Sequence, residues 1–136
     1  MSAEISDKDT IKRMAAAAGQ FLAKLSDDQR STASLSFEDE AERKNWHYTP
    51  VERQGLMLKD MDAVQVDYAH RLLATGLSGA GVHKAKSIID LEPILREIEG
   101  PGGKWKRDPE RYYVSVFGTP GNGGKWGWRF EGHHVS

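Results

Sequence analysis

The amino-acid sequence predicts an α+β fold in which three or four helices pack against a small antiparallel sheet with a C-terminal β-hairpin. Three observations lead to this prediction. Apolar residues recur at helical spacing over residues 1–100, a glycine- and proline-rich segment follows, and two aromatic-rich segments then flank a glycine-rich turn. A chain of 136 residues has the length of one domain, so we expect a single domain over 1–136, mainly helical over 1–100 and a hairpin over 101–136.

The first helix is predicted by apolar side chains at steps of three and four, which places them on one helical face. These residues are Ile11, Met14, Ala18, Leu22 and Leu25. Ser26 or Asp27 then offers the side-chain oxygen that caps a short second helix over residues 28–34.

A charge-dense segment around Trp46 and Tyr48 follows the second helix. Pro50 forces the residue before it into an extended or turn conformation, so a helix cannot run through this segment. We expect an irregular crossing with strand pairing at its edges.

Two further helices are predicted after the crossing. The first begins at Asp60 or Asp62 and ends at Gly76 through a left-handed cap, which glycine adopts most easily. Ser78 caps the second, and Pro93, which lacks a backbone N–H, breaks it near its end and lets a last helical segment follow. The inward residues of the two helices are Met61, Val64, Tyr68 and Leu72 in one and Val82, Ala85, Ile88 and Ile89 in the other.

Two helix starts share a pattern. The segments LAKLSDDQ and LKDMDAVQ place Gln29 and Gln65 at the same distance from a capping serine or aspartate. The capping box explains this similarity without an internal repeat.

The C-terminal hairpin is the clearest β signal. Residues 111–117 and 125–131 are rich in aromatic and β-branched side chains, and the strand pattern continues to the last residues. Alternation places Trp126, Trp128 and Phe130 on one face, which we interpret as core, with a stacking platform for a planar or sugar ligand as the alternative.

The other face of that strand carries Arg129, Glu131 and His133. Such a row is either a salt-bridged surface or a carboxylate that orients a histidine for general-base or metal chemistry. Glu131 and His133 are therefore candidate catalytic residues, and Arg129 is a candidate ligand-binding residue.

A divalent metal ion is the one cofactor that the sequence suggests, through His133, His134 and His47. Adjacent strand residues point to opposite faces, so His133 and His134 cannot share an ion unless Gly132 distorts the strand. One histidine and a glutamate are too few ligands for zinc, which takes three or four protein ligands.

A second ligand-binding cluster is predicted at Arg43, Trp46 and Tyr48. An arginine on an aromatic plate binds carboxylates or planar groups. The alternative is that these residues anchor the irregular crossing.

Composition excludes several classes of partner and site. The 19 basic and 20 acidic residues give a net charge of -1, which provides no field for nucleic acid or an anionic membrane. The absence of cysteine excludes disulfides and thiolate-ligated metals. The polar start lacks the order of a signal peptide and no apolar run reaches the roughly 20 residues of a membrane span, so we expect a cytoplasmic protein.

Several of these residues also carry a family resemblance. The chain from about residue 29 to its end resembles the uncharacterised bacterial domain-of-unknown-function family 3500 (DUF3500), and the most specific piece is WGWRFEGHH. The resemblance also rests on Arg43, Trp46, Tyr48, Pro50, Gly55, Leu56, Leu58, Leu77, Ser78 and Gly81. It implies no activity, and it implies that the chain is the N-terminal portion of a longer family domain.

Two function classes remain. The first is an incomplete or non-catalytic binding module whose hairpin edge awaits a missing C-terminal half, a partner chain or a second copy, because an unpaired edge strand invites pairing. The alternative is part of a metal-assisted or acid–base enzyme that acts on a small organic substrate through the His133 and His134 region.

Overall fold

The computed structural model describes residues 6–47, 49, 51–100, 111–121 and 123–136. The predicted loop over residues 101–110, and the positions of Tyr48 and Pro50, lie outside the described residues. Across the described ranges, no helix is both long enough and apolar enough to cross a lipid bilayer.

The N-terminal helices form where capping residues begin them. Helix α1 spans Asp7–Ala23 after the cap Ser6, and helix α2 spans Asp27–Ala33 after the cap Ser26. Both predicted helices are confirmed. Ile11 is the exception to the predicted inward face, because 58% of it is exposed near the start of α1.

The remaining helices are α3, Glu40–Arg43; α4, Ala63–Thr75; α5, Gly79–Ile89; and α6, Glu92–Glu99. The predicted caps Asp62 and Ser78 begin α4 and α5, and α6 follows the predicted break. The short helix α3 lies inside the crossing that the sequence indicated to be irregular, and a single 3-10 turn, Leu58–Asp60, precedes α4.

Two details of α4 correct the prediction. Val64 is 55% exposed, because α4 packs through the face that carries Ala69, Leu72 and Leu73. Gly76 has φ -101°, so it ends the helix without a left-handed cap. Its lack of a side chain serves packing: a Cβ there would lie 2.8 Å from Cζ2 of Trp128.

Four strands form one small sheet: β1, Ser34–Leu35; β2, Leu56–Met57; β3, Tyr113–Phe117; and β4, Gly127–Glu131. Strand β3 is central, with β4 antiparallel on one side and β1 and β2 sharing the other. The α+β class and the C-terminal hairpin are confirmed. The sheet is mixed, because β1 joins β3 in parallel whereas β2 and β4 join it antiparallel.

The core lies between the sheet and the helices α1, α4 and α5. Phe21, Leu72, Val114, Val116 and Phe130 are among its buried residues. Trp126 and Trp128 are partly buried against this core, as the aromatic face of the hairpin predicted.

Gln29 and Gln65 meet where α2 and α4 begin, and we call them the glutamine pair. Each carboxamide oxygen accepts from the backbone N–H of its own capping residue, Ser26 or Asp62, at 2.9 Å. Each Nε2 donates to the partner oxygen, at 3.0 Å from Gln29 and 2.8 Å from Gln65. The same nitrogens donate to the carbonyls of Asp60 and Lys24 at 2.8 and 2.9 Å, so both amides use all their hydrogen-bonding capacity.

Candidate functional site

Four charged residues meet beside β4, and we call them the arginine–glutamate network: Glu42, Arg53, Arg129 and Glu131. The Nε atom of Arg129 lies 2.8 Å from Oε1 of Glu131, and its Nη2 lies 2.5 Å from Oε1 of Glu42. Arg53 approaches the other oxygen of Glu131, with its Nε 3.6 Å from Oε2. The side chains of Arg53 and Glu131 are each 2% exposed, so this is an interior ion cluster.

Arg53 also ties the crossing to the end of β4 through backbone carbonyls. Its Nη1 donates to Val51 at 2.8 Å, and its Nη2 donates to His47, Thr49 and Gly132 at 2.7, 2.6 and 3.2 Å. An arginine carries five N–H donors in a planar fork, which suits this set of acceptors.

Arg129 makes the corresponding link from β4 to α3. Its Nη1 donates to the carbonyl of Glu42 at 2.7 Å and to that of Asn45 at 3.4 Å. Its guanidinium also lies 5.2 Å from the centroid of the Phe117 ring. The two arginines together therefore fix residues 42–47, 49 and 51–53 of the crossing against the hairpin.

Burial controls the electrostatics of this network. It raises the pKa of the Glu131 carboxyl above its ordinary value, and the charges of Arg129 and Arg53 oppose that rise. Burial likewise lowers the pKa of Arg53, which the Glu131 charge opposes. The Nε atoms of Arg53 and Arg129 are buried without a well-directed hydrogen bond, so their contacts with Glu131 are ionic.

The network explains where two predicted site residues lie. Glu131 and Arg129 are on the face that alternation predicted, but this face is covered by the crossing and is not a solvated surface. Glu42 and Arg53 were not anticipated from the sequence. No local pattern marks them, since Glu42 is 87 residues from its partner Arg129.

The two histidines lie in a turn, which corrects the prediction that the strand continues through them. β4 ends at Glu131, and the N–H of Gly132 donates to the carbonyl of Val135 at 2.8 Å across His133 and His134. His134 has φ +56°, a left-handed conformation typical of tight turns.

The turn also changes how the two imidazoles relate. Their ring centroids are 4.2 Å apart, whereas strand alternation predicted opposite faces. The ring of Tyr112 occupies the space beside Gly132, where a Cβ would lie 2.2 Å from a ring carbon, and its hydroxyl donates to the carbonyl of His133 at 2.8 Å. Glycine is therefore required at the start of this turn.

The described residues contain no group of three or more histidine, aspartate or glutamate side chains placed to hold one metal ion. His47, the third predicted ligand, accepts from Arg53 through its carbonyl. Ring contacts are described for His70, His133 and His134. Of these three, His133 and His134 are the two whose rings lie beside each other.

The predicted cluster of Arg43, Trp46 and Tyr48 is only partly described. The Arg43 guanidinium lies 4.3 Å from the centroid of the Phe37 ring, and its Nε donates to the Phe37 carbonyl at 2.7 Å. Trp46 is 60% exposed, and Tyr48 lies outside the described residues. Phe37 is thus the aromatic plate under Arg43.

A pocket of about 440 Å³ opens between α5 and β4, and we call it the α5–β4 pocket. Its lining is mainly apolar and includes Leu77, Ile88, Trp128 and Phe130. Arg129 of the arginine–glutamate network and the exposed Lys84 and His134 also line it, and their side chains can carry positive charge. Pockets of this size and character are typical of ligand sites.

One further titratable group packs close to the pocket. His70 of α4 contacts Phe130 edge to face, with ring centroids 6.1 Å apart. Burial lowers the pKa of His70, the charge of Lys86 lowers it further, and Asp67 opposes both. The imidazole is therefore favoured in its neutral form in the folded protein.

Comparison with known proteins gives one match. The family model described as "Protein of unknown function (DUF3500)" matches residues 7–136. No curated protein and no solved structure matches the chain.

Proposed function

We propose that this chain, which belongs to the DUF3500 family, is a non-catalytic binding module whose ligand occupies the α5–β4 pocket. The observation that carries the proposal is the pocket itself, a mainly apolar cavity with Lys84 and His134 in its lining. Such a lining suits a ligand with an apolar body and an anionic group.

The position of Glu131 supports binding over acid–base catalysis. A general base must reach the proton that it removes, within hydrogen-bond distance or through one water. Glu131 is enclosed between two arginines at 2% exposure, and its role in this proposal is to hold the crossing against β4. Arg129 acts in the same way, as a positioning residue.

Binding can be tested with the anionic apolar fluorophore 8-anilinonaphthalene-1-sulfonate. We expect saturable binding that Ala85→Leu removes, because the larger side chain fills a pocket that Ala85 lines. Lys84→Gln should weaken binding about three- to tenfold, the equivalent of about 1 kcal/mol. Unchanged thermal melting of each variant would show that the fold is intact.

Lys86→Gln is the matched control, because Lys86 is exposed on the same helix and is not part of the pocket lining. It should bind the fluorophore as the wild type does. Equal binding by wild type, Ala85→Leu and Lys84→Gln would contradict the proposal.

A second candidate, metal-assisted or acid–base chemistry at His133 and His134, has one supporting observation. His134 lines the same pocket and its ring lies beside that of His133. Elemental analysis of purified protein should then find a stoichiometric divalent metal that His133→Ala or His134→Ala releases, while His83→Ala on α5 retains it. Protein without metal would leave this candidate unsupported.

A further inference from the structure

The direction of the backbone groups in β4 follows from the hydrogen bonds of β3. The N–H of Leu58 donates to the carbonyl of Tyr112 at 2.9 Å. The backbone groups of Tyr112, the residue before β3, therefore point toward the side of β3 where β2 lies. Backbone groups alternate in direction along a strand, so Ser115, three positions on, faces β4. Arg129 lies opposite Ser115 and therefore directs its own N–H and C=O back toward β3.

Trp128 and Phe130, the alternate residues of β4, then direct their N–H and C=O groups away from β3. Both residues line the α5–β4 pocket, and so does Arg129 between them. Side chains of consecutive strand residues point to opposite faces, so a cavity bordered by three in a row lies along the strand edge. Across the described residues, no backbone hydrogen bond to a further strand uses these four outward groups.

One backbone pairing is already present on this outer edge, just beyond the end of β4. Gly132 has the same parity as Phe130, and its N–H donates to the carbonyl of Val135 in an antiparallel bridge. The next outward positions along β4 are those of Phe130 and Trp128. Val135 and Ser136 line the same pocket, so the register for an added strand is set at one end.

We infer that the outer edge of β4 is a strand-addition site that takes an extended, acidic peptide segment of a partner protein. This inference rests on the proposed function and names the class of its ligand. The segment runs antiparallel to β4, and alternate residues exchange hydrogen bonds with Trp128 and Phe130. An acidic side chain complements Lys84 in the pocket lining.

The shape of the pocket favours a lone segment over a second copy of the chain. Residues of α5, Lys84 and Ile88 among them, form the wall opposite the strand edge. Neighbouring strands lie only about 5 Å apart, so one extended segment fits beside β4. A second β4 would bring its own β3 and helices against α5.

The probe is the acetylated heptapeptide Thr-Val-Glu-Val-Thr-Val-Thr carrying a C-terminal fluorophore, with binding followed by anisotropy. Only every second N–H of a bound strand faces its partner. N-methylation of the second, fourth and sixth residues, or of the third, fifth and seventh, should therefore give opposite results. We expect one set to weaken binding at least about tenfold and the other to change it less than about threefold.

Hydrogen exchange locates the contact. The bound peptide should slow exchange of the Trp128 and Phe130 amides, whereas 8-anilinonaphthalene-1-sulfonate, which has no backbone, should displace the peptide without giving these amides a strand partner. Equal binding by the two N-methylated peptides, or unchanged exchange at both amides, would overturn the inference.

Failure of this inference is distinguishable from failure of the proposed function. If the fluorophore binds in a manner that depends on Lys84 while the peptide does not bind, the pocket function stands and strand addition is wrong. If neither binds, both are wrong. Protection of the Trp128 and Phe130 amides that grows with protein concentration, with a dimer in sedimentation, would replace the peptide by a second copy.

Discussion

The glutamine pair and the arginine–glutamate network both join distant segments through polar side chains, but they do so by different physics. Gln29 and Gln65 are neutral amides whose donors and acceptors are all matched. The network places Arg53 and Glu131 in the interior as charges. Desolvation of an ion costs several kcal/mol, so its contacts first have to offset that cost.

The difference shows which kind of contact can be predicted from the sequence. Each glutamine belongs to a capping box, so its position three residues after a capping side chain is a local signal. The network has no local signal, because Glu42, Arg53 and Arg129 come together only when the hairpin folds back on the crossing. Loss of one partner should therefore be far more costly in the network than in the glutamine pair.

Arg53→Met should have the largest effect. It leaves the buried Glu131 with one cation fewer and removes the Arg53 hydrogen bonds to four backbone carbonyls, so we expect the free energy of unfolding to fall by about 3–5 kcal/mol. Urea denaturation followed by circular dichroism measures this loss.

Arg71→Met is the control for that variant. Arg71 pairs with Asp67 at 2.8 Å on the exposed face of α4, and such pairs contribute about 0–1 kcal/mol. If the two variants lost the same stability, the network would be no stronger than a surface ion pair, and the contrast with the glutamine pair would disappear.

Gln65→Ala should have a smaller effect, about 1–3 kcal/mol, because it removes hydrogen bonds of a buried neutral amide. Gln29→Ala should act similarly, and the double variant should lose less than the sum of the two, with a coupling of about 0.5–1.5 kcal/mol. The control Gln20→Ala, at an exposed position of α1, should change stability by less than about 0.5 kcal/mol. Strict additivity would show that the two amides act independently.

The pH dependence of stability should separate charged from neutral groups. The folded pKa of His70 lies below its ordinary 6.5, so its contribution is present above pH 6.5 and is lost as the pH falls through the folded pKa. Wild type should therefore lose stability relative to His70→Gln as the pH is lowered below 6.5, by at most about 1.4 kcal/mol per pH unit. Denaturation of both proteins between pH 7 and pH 5 measures this difference.

Glu131 titrates in the opposite sense. Its folded pKa is raised, so its contribution is fully present below its ordinary 4.5 and is lost as the pH rises through the folded value. This contribution is common to wild type and His70→Gln and cancels in their difference. A difference between the two proteins that is flat with pH would contradict the role given to His70, and Gln29→Ala should leave the pH profile of wild type unchanged.

The sequence by itself determined the elements whose causes are local. Ser26, Asp62 and Ser78 cap the helices that were predicted after them, and aromatic alternation around a glycine-rich turn predicted β3 and β4. Each of these signals acts within a few residues, through a side chain that bonds a nearby backbone group or through the period of a strand.

Only the tertiary structure decided the pairing of β1 and β2 with β3, the reversal of the chain at His133 and His134, and the partners of Arg129 and Glu131. It also decided that the edge of β4 faces α5 across a pocket. These features depend on which distant segments are buried against each other, and desolvation acts on a side chain only once that burial is complete.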